Sequence, residues 1–227
     1  MIRAGWKSSN DLRRAPFAMT TTHHLELPIT EQQARALHVG DQVYLHGEII
    51  LAAGMPTHQR ILEHLNAGQT LPIDLRGAAM FHLGSYSREV DGRFEVLYLN
   101  PTTSTRFNAF MPRLIDELGL RMVGGKGGLD EASAQAMQRA GCVYLSFLGG
   151  GCTLLSKAIR EVVAVEWSDL VHHYRLVKLR VDGLGPATVG IDAHGKSVYG
   201  NLTADAYARL PQIMEKLNAG RAQAGGA

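Results

Sequence analysis

The stretch FEVLYLNPTTSTR at residues 94–106 decides the predicted fold, because it leads from a strand to a helix through a polar turn. FEVLYL is apolar and aromatic, and it predicts a strand that ends at Asn100-Pro101. A run of hydroxyl side chains follows, and a helix is predicted over 108–118. Free backbone amides at a helix start can bind an anion, and Arg106 can bind a carboxylate through two hydrogen bonds. The alternative is a helix-capping cluster with a surface arginine.

The same order of strand, turn and helix recurs on both sides of this stretch. Upstream, a strand over 43–51 precedes a helix over 57–66, and downstream, strands over 121–123 and 143–148 run into glycine-rich turns. The other predicted elements are helices over 30–38, 130–140, 153–159 and 203–218, strands over 78–83, 176–181, 188–192 and 197–199, and a polar loop over 84–92. This alternation predicts an α/β fold.

The composition excludes several classes of protein. Hydrophobic residues make up 45% of the 227 and charged residues 19%, so the chain can bury a core and is not disordered. The net charge of +2 is too small for the whole chain to bind nucleic acid electrostatically. The longest uncharged run, 140–156, is short for a membrane span and is interrupted by three glycines. The length suits one or two domains, with one large domain favoured, and we expect a cytoplasmic protein with no nucleic-acid or membrane partner.

The cysteine count limits the metal chemistry. Cys142 and Cys152 are the only cysteines, so they cannot form a disulfide scaffold. Two thiolates also cannot by themselves supply a four-ligand zinc site or an iron–sulfur cluster.

Two glycine-rich turns resemble nucleotide-binding loops but lack the required residues. Gly127 follows Lys126 where a P-loop needs serine or threonine, and Leu154 stands where the dinucleotide pattern needs its third glycine. Lys126 on a flexible loop can still reach an anionic ligand, the alternative being a plain turn. His58, at the start of its predicted helix, can face a site, although a lone histidine more often lies on the surface or caps a helix.

The chain divides into three predicted parts. Residues 1–22 are expected to form a flexible N-terminal extension, residues 23–202 the main domain, and residues 203–227 a terminal helix and flexible tail. The basic start, with a second methionine at Met19, is consistent with an overextended start or with an organelle transit peptide.

Several motifs together carry a resemblance to a known family. They are LPITEQQARALHVGDQVYLHGEI, THQRILE, NPTTSTRFNAF, VGGKGG, YLSFLGGG and VGIDAHGKSVYGNL. Over roughly residues 25–202, the sequence resembles the C-terminal region of class I fumarases and the β subunit of L(+)-tartrate dehydratase, both iron–sulfur hydro-lyases.

The resemblance implies a swivelling β/β/α domain with a mixed sheet and flanking helices. It also implies reversible addition of water to a small dicarboxylate. A [4Fe-4S] cluster is then held by three cysteines of a partner α subunit, and none is bound by this chain alone. The expected assembly is a hetero-oligomer, αβ or α2β2.

The resemblance also assigns roles to individual residues. Thr102 corresponds to the proposed catalytic base, while Arg106, Lys126, His58 and Thr103 correspond to substrate-binding residues. The residue types suit the reaction, because two carboxylates need cationic partners and nearby positive charge makes a threonine hydroxyl a better base.

One departure from the family pattern leaves the substrate open. The family has R-D-x-A-H where this chain has Gly54-Met55-Pro56-Thr57-His58, so only the histidine is kept. On the resemblance as a whole, the chain is predicted to be a hydro-lyase β subunit. The alternatives are a divergent, non-catalytic relative that binds a dicarboxylate or regulates a partner, and an unrelated anion-binding module.

Overall fold

In the computed structural model, which describes residues 20–224, strands and helices alternate along most of the chain. The strands are β1 (Thr22–Glu26), β2 (Gln42–Leu51), β3 (Ala79–Phe81), β4 (Leu83–Val90), β5 (Arg93–Pro101), β6 (Met122–Gly125), β7 (Val143–Phe147), β8 (Ile159–Glu166) and β9 (Leu176–Ile191). The helices are α1 (Glu31–Arg35), α2 (Met55–Asn66), α3 (Met111–Leu118), α4 (Glu131–Ala140), α5 (Cys152–Ser156) and α6 (Val198–Ala224). Two short 3-10 helices cover Ser104–Phe107 and His172–Tyr174.

Seven of the strands form one mixed sheet in the order β1-β2-β3-β6-β7-β9-β8. The first five pair in parallel, whereas β9 runs antiparallel to each of its neighbours. Because β9 also pairs with β2, the sheet curls back on itself. β4 and β5 form a separate antiparallel hairpin. The predicted α/β fold, with a mixed sheet and flanking helices, is confirmed.

Both faces of the central strands are buried. One hydrophobic core lies on the face that carries Leu45, Phe81 and Leu145. The second joins the opposite face to α2, α3 and α4, and includes Met80 and Ile115. Burial on both faces explains why these strands read as continuous apolar runs rather than as alternating patterns.

The helix ends follow local capping rules. Thr30 and Gln33 form a capping box at the start of α1, and the carboxylate of Asp130 accepts a hydrogen bond from the Ser133 amide at 3.0 Å at the start of α4. Gly119 and Gly141, both with positive φ, end α3 and α4.

Two predicted elements before residue 167 are wrong. The predicted loop 84–92 is mostly β4, whose buried side chains include small polar ones, Ser85 and Ser87, so it shows no apolar alternation. The predicted helix 153–159 ends at Ser156, and the half-exposed strand β8 follows it.

The chain between 176 and 191 forms one strand instead of the two predicted. The register of β9 against β2 shifts near Leu184, and the strand continues past this irregularity. The segment 197–199, predicted as a strand, instead leads into the long helix α6.

The two ends of the chain differ in what the structure describes. Residues 1–19 of the predicted N-terminal extension lie outside the described residues, and Thr22 is the first residue of β1. The predicted terminal helix lies within α6. Among the helices of residues 20–224, none combines the length and apolarity that a membrane crossing requires.

The parallel strands bring their carboxyl ends to one edge of the sheet. β2 ends at Leu51, β3 at Phe81 and β6 at Gly125. In α/β proteins, ligands bind at this edge. The polar turn that follows β5 and the glycine-rich turn that follows β6 both lie there.

Candidate active site

Backbone hydrogen bonds join the polar turn after β5 to the strand ends. The Thr102 amide donates to the His82 carbonyl at 2.9 Å, and the Lys126 amide donates to the Thr102 carbonyl at 3.0 Å. The Ser104 amide in turn donates to the Lys126 carbonyl at 2.8 Å. The polar turn therefore continues the sheet by one short parallel bridge, in which Thr103 pairs with Lys126 and the Thr102 carbonyl is bonded to the Lys126 amide.

Two glycines at the end of β6, Gly124 and Gly125, make this close approach possible. A Cβ at Gly125 would overlap the Ser104 hydroxyl and lie 3.0 Å from the Thr102 carbonyl oxygen. A Cβ at Gly124 would lie 2.5 Å from the Leu145 carbonyl oxygen. These glycines are thus required by neighbouring backbone and side-chain atoms, which differs from the phosphate-binding role of glycines in a P-loop.

Three of the predicted site residues line one cavity. Thr102, Arg106 and Lys126 surround a space of about 300 Å³ at the mouth of this edge. The guanidinium of Arg106 donates a hydrogen bond to Oγ1 of Thr102. Seven further residues complete the lining: Ala53, Gly84, Tyr98, Asn100, Pro101, His173 and Tyr174. Among these described lining residues none is acidic, so the cavity suits an anion.

The other two predicted site residues lie outside the lining. Thr103 is half-buried, and its carbonyl oxygen lies 3.4 Å from Nε of Arg106. His58 is fully buried behind the polar turn, where its ring stacks on Phe107 with centroids 4.2 Å apart. The structure therefore brings Thr102, Arg106 and Lys126 together and does not bring Thr103 or His58 into the same cavity.

Burial explains the chemistry of His58. Its Nδ1 lies 2.7 Å from the Gly54 carbonyl oxygen, whereas its Nε2 is buried and has no hydrogen-bond partner among the described residues. Burial disfavours the imidazolium and lowers the pKa of His58 to about 4, although the Gly54 carbonyl opposes the shift. His58 is thus neutral at physiological pH.

A second buried histidine supports the polar turn and has no counterpart in the sequence prediction. Nδ1 of His82 lies 2.8 Å from Oγ of Ser104, which lies 2.9 Å from the hydroxyl of Tyr144. Burial lowers the pKa of His82 well below its ordinary value, and the charges of His58 and Arg106 act in the same direction. In the sequence, the only signals for this network were the strand predicted over 78–83 and the run of hydroxyl side chains. Neither signal shows that His82 and Ser104 meet.

A larger cleft elsewhere has its charges paired. It measures about 400 Å³, lies beside β2 and β9, and is lined by Glu48, Lys178 and Arg180. Glu48 forms ion pairs with both cations, at 2.6 Å and 3.0 Å. This cleft therefore lacks the uncompensated positive charge of the Thr102 cavity.

The described thiols do not form a site for an iron–sulfur cluster. Cys142 directly precedes β7 and is fully buried, and burial raises the pKa of its thiol. Cys152 begins α5, beyond the other end of β7. Within residues 20–224, no group of three or more His, Cys, Asp or Glu side chains is placed to hold a metal ion.

Known proteins are similar to this chain over most of its length. The family described as "Fumarase C-terminus" matches residues 6–202. The L(+)-tartrate dehydratase subunit beta of Escherichia coli K12 is 30% identical over 174 residues, which cover 77% of this chain and 85% of the relative.

Proteins of two further organisms are similar to this chain. The "Putative L(+)-tartrate dehydratase subunit beta" of Methanocaldococcus jannaschii is 30% identical over 187 residues, 82% of this chain and 95% of the relative. The "Putative fumarate hydratase class I" of Geobacillus stearothermophilus is 32% identical over 192 residues, 84% of this chain but only 36% of that longer protein. The chain therefore belongs to the fumarase C-terminus family.

Proposed function

We propose that this chain is the β subunit of a two-subunit iron–sulfur hydro-lyase that reversibly hydrates a small dicarboxylate of the fumarate/malate or tartrate type. The observation that carries the proposal is the convergence of Thr102, Arg106 and Lys126 on one cavity without a lining acid. The names of the relatives, tartrate dehydratase and fumarate hydratase, agree with it.

In the proposed reaction, the two cations hold the substrate by its carboxylates. Arg106 presents a planar, two-pronged donor and Lys126 a compact charge, so each can neutralise one negative group. Dehydration then removes a proton from the carbon beside a carboxylate while hydroxide leaves the neighbouring carbon, and a double bond forms between them.

Thr102 is the proposed proton acceptor. A threonine hydroxyl is ordinarily a very weak base, but positive charge within hydrogen-bond distance favours its deprotonated form. Arg106 donates directly to Oγ1 of Thr102, and Lys126 is its backbone-bonded neighbour. The same two cations thus serve both to bind the substrate and to activate the base.

The leaving hydroxide needs a Lewis acid, which the described residues of this chain do not supply. We propose that the [4Fe-4S] cluster belongs to a cysteine-bearing α subunit, because the two thiols here lie beyond opposite ends of β7. In this proposal the cluster supplies Lewis-acid chemistry for the hydroxyl group.

Exposed apolar side chains near the cavity support an interface with that partner. Tyr98, which lines the cavity, is 37% exposed. Leu148, directly before the glycines at 149–151 that follow β7, is 66% exposed. Val171, near the cavity residue His173, is 55% exposed. We propose an αβ or α2β2 assembly that covers these side chains.

The test uses this chain coexpressed with its cysteine-bearing partner and purified without oxygen. Arg106→Lys keeps the charge and loses the two-pronged geometry, so KM for malate and tartrate should rise at least tenfold with a smaller change in kcat. Arg113→Lys is the matched control, since Arg113 lies on α3 and pairs with Glu117. Equal kinetics of both variants would contradict the proposal.

A further inference from the structure

The elements that line the Thr102 cavity differ in charge. Arg106 lies in the polar turn and Lys126 directly follows β6. The β2–α2 junction at Ala53 and the short helix with His173 and Tyr174 contribute no lysine, arginine or acidic side chain to the lining. A substrate in the cavity can therefore meet both the two cations and aromatic groups from other elements.

Tyr174 lies against the β2–α2 junction. Its ring lies directly over Gly54, where a Cβ would come within 2.5 Å of Cδ1 and 2.6 Å of Cγ. The backbone of Gly54 is extended, with φ −115° and ψ 146°, so its conformation alone does not require glycine. Position 54 therefore lacks a side chain because Tyr174 occupies the space.

The surrounding contacts hold Tyr174 in this place. Its carbonyl accepts a hydrogen bond from the Thr57 hydroxyl, and its amide donates to the Val171 carbonyl at 2.8 Å. Arg175 anchors the next position by donating to Oγ of Ser87 at 3.2 Å and to the Ser168 carbonyl at 3.2 Å. These contacts fix the backbone that carries the Tyr174 ring.

We propose that Tyr174 is the specificity-determining residue of this cavity and contacts the substrate at the end remote from Arg106 and Lys126. Its neutral phenol can donate to a carboxylate or exchange a hydrogen bond with a hydroxyl group. The substrate class is thus a small hydroxy acid with one carboxylate bound by the cations and either a carboxylate or a hydroxymethyl group at the Tyr174 end. This inference rests on the proposed function.

The test compares two acids that differ only at one end. Threonate is tartrate with one carboxylate replaced by a hydroxymethyl group, and dehydration of either gives a keto acid that can be measured. For the complex with the cysteine-bearing partner, kcat/KM for the two acids should agree within about tenfold, because a neutral donor separates them weakly. Tyr174→Phe should lower both values about 3- to 10-fold. Tyr174→Arg should raise the ratio of tartrate to threonate at least tenfold.

Tyr86→Phe is the matched control, because Tyr86 contacts His172 with ring centroids 4.3 Å apart and lies outside the cavity lining. It should leave both kcat/KM values unchanged. A wild-type preference for tartrate above about 100-fold, or identical behaviour of Tyr174→Phe and Tyr86→Phe, overturns the inference.

Arg106→Ala separates this inference from the proposed function. If Arg106→Ala abolishes turnover while the Tyr174 variants leave the ratio unchanged, the inference alone fails. If the wild-type complex turns over neither acid nor malate, both fail.

Discussion

Thr102 is the residue on which the proposed chemistry depends. The sequence left open whether its turn binds an anion or only caps a helix. Thr103, not Thr102, stands at the N-cap of the 3-10 helix, and its side chain makes no capping hydrogen bond. The hydroxyl of Thr102 instead accepts from Arg106 inside the cavity. These contacts favour a role in binding or catalysis.

Thr102→Val should lower the turnover of the αβ complex at least about 100-fold, because it removes the proposed proton acceptor and keeps the side-chain shape. The melting temperature should stay near the wild-type value. Thr105→Val, at an exposed position of the same turn that does not line the cavity, is the control. A capping role gives the opposite pattern, a loss of about 0.5–2 kcal/mol in stability with near-normal activity.

His58 predicts a pH dependence of stability. Its pKa is about 4 in the folded chain, chiefly because of burial, and about 6.5 in the unfolded chain. Between these values the unfolded state binds a proton that the folded state does not, so stability falls as the pH drops from about 6.5 toward 4. Between pH 7 and pH 5 the loss from His58 should be about 2 kcal/mol.

Urea unfolding of the full chain at the two pH values measures this loss. His58→Asn should show a smaller decrease than the wild type, with part of the decrease remaining because His82 is buried in the same way. His64→Asn, in the same helix but less buried, should behave like the wild type. If the stability of His58→Asn decreased as much as that of the wild type, this would contradict a neutral, buried His58.

Turnover of His58→Asn should fall less than that of Thr102→Val, because His58 does not line the cavity.

At the scale of elements, the site depends on how closely two turns approach each other. The polar turn after β5 and the glycine turn after β6 share backbone hydrogen bonds, and Gly125 is the point of closest contact. A side chain there must displace either the Ser104 hydroxyl or the Thr102 carbonyl.

Gly125→Ala should destabilise the chain by about 1–3 kcal/mol through overpacking. It should also lower kcat at least tenfold, because moving Thr102 by a fraction of an ångström disrupts its alignment with the substrate. Gly149→Ala is the control, since its Cβ would meet only the Lys126 side chain at an ordinary 3.6 Å. Wild-type stability and activity in Gly125→Ala would show that the two turns need not approach so closely.

At the scale of the whole molecule, the chain supplies the Thr102 cavity and, within residues 20–224, no group of three or more side chains placed to hold a metal ion. We expect anaerobic reconstitution of the isolated full chain to give no stoichiometric iron–sulfur absorbance, because Cys142 is buried and Cys152 lies beyond the far end of β7. The coexpressed complex, reconstituted in parallel, should give the absorbance. A stable one-to-one cluster on the isolated chain would contradict the assignment of the cluster to the partner.

The partner should also copurify with this chain. Exposed apolar side chains near the cavity mouth favour association. A monodisperse monomer with full hydro-lyase activity is the result that rules out an obligate partner.

The sequence by itself determined the α/β class and most helices. Helix signals are local: Thr30 and Asp130 cap helices, and Gly119 and Gly141 end them. Prediction from the sequence failed for strands whose formation depends on pairing with a distant strand. β4 carries small buried serines, and β8 is half-exposed, so neither shows a strand pattern until its partner strand is known.

The candidate site divides in the same way. Thr102, Arg106 and Lys126 could be named from their motifs, because a hydroxyl run and a glycine-flanked lysine are visible in the sequence. Only the tertiary structure decided that these residues share a cavity, that His58 lies behind it, and that Tyr174 lies over Gly54. The physical reason is that cavity walls come from segments more than a hundred residues apart, brought together by strand pairing and packing that no local pattern encodes.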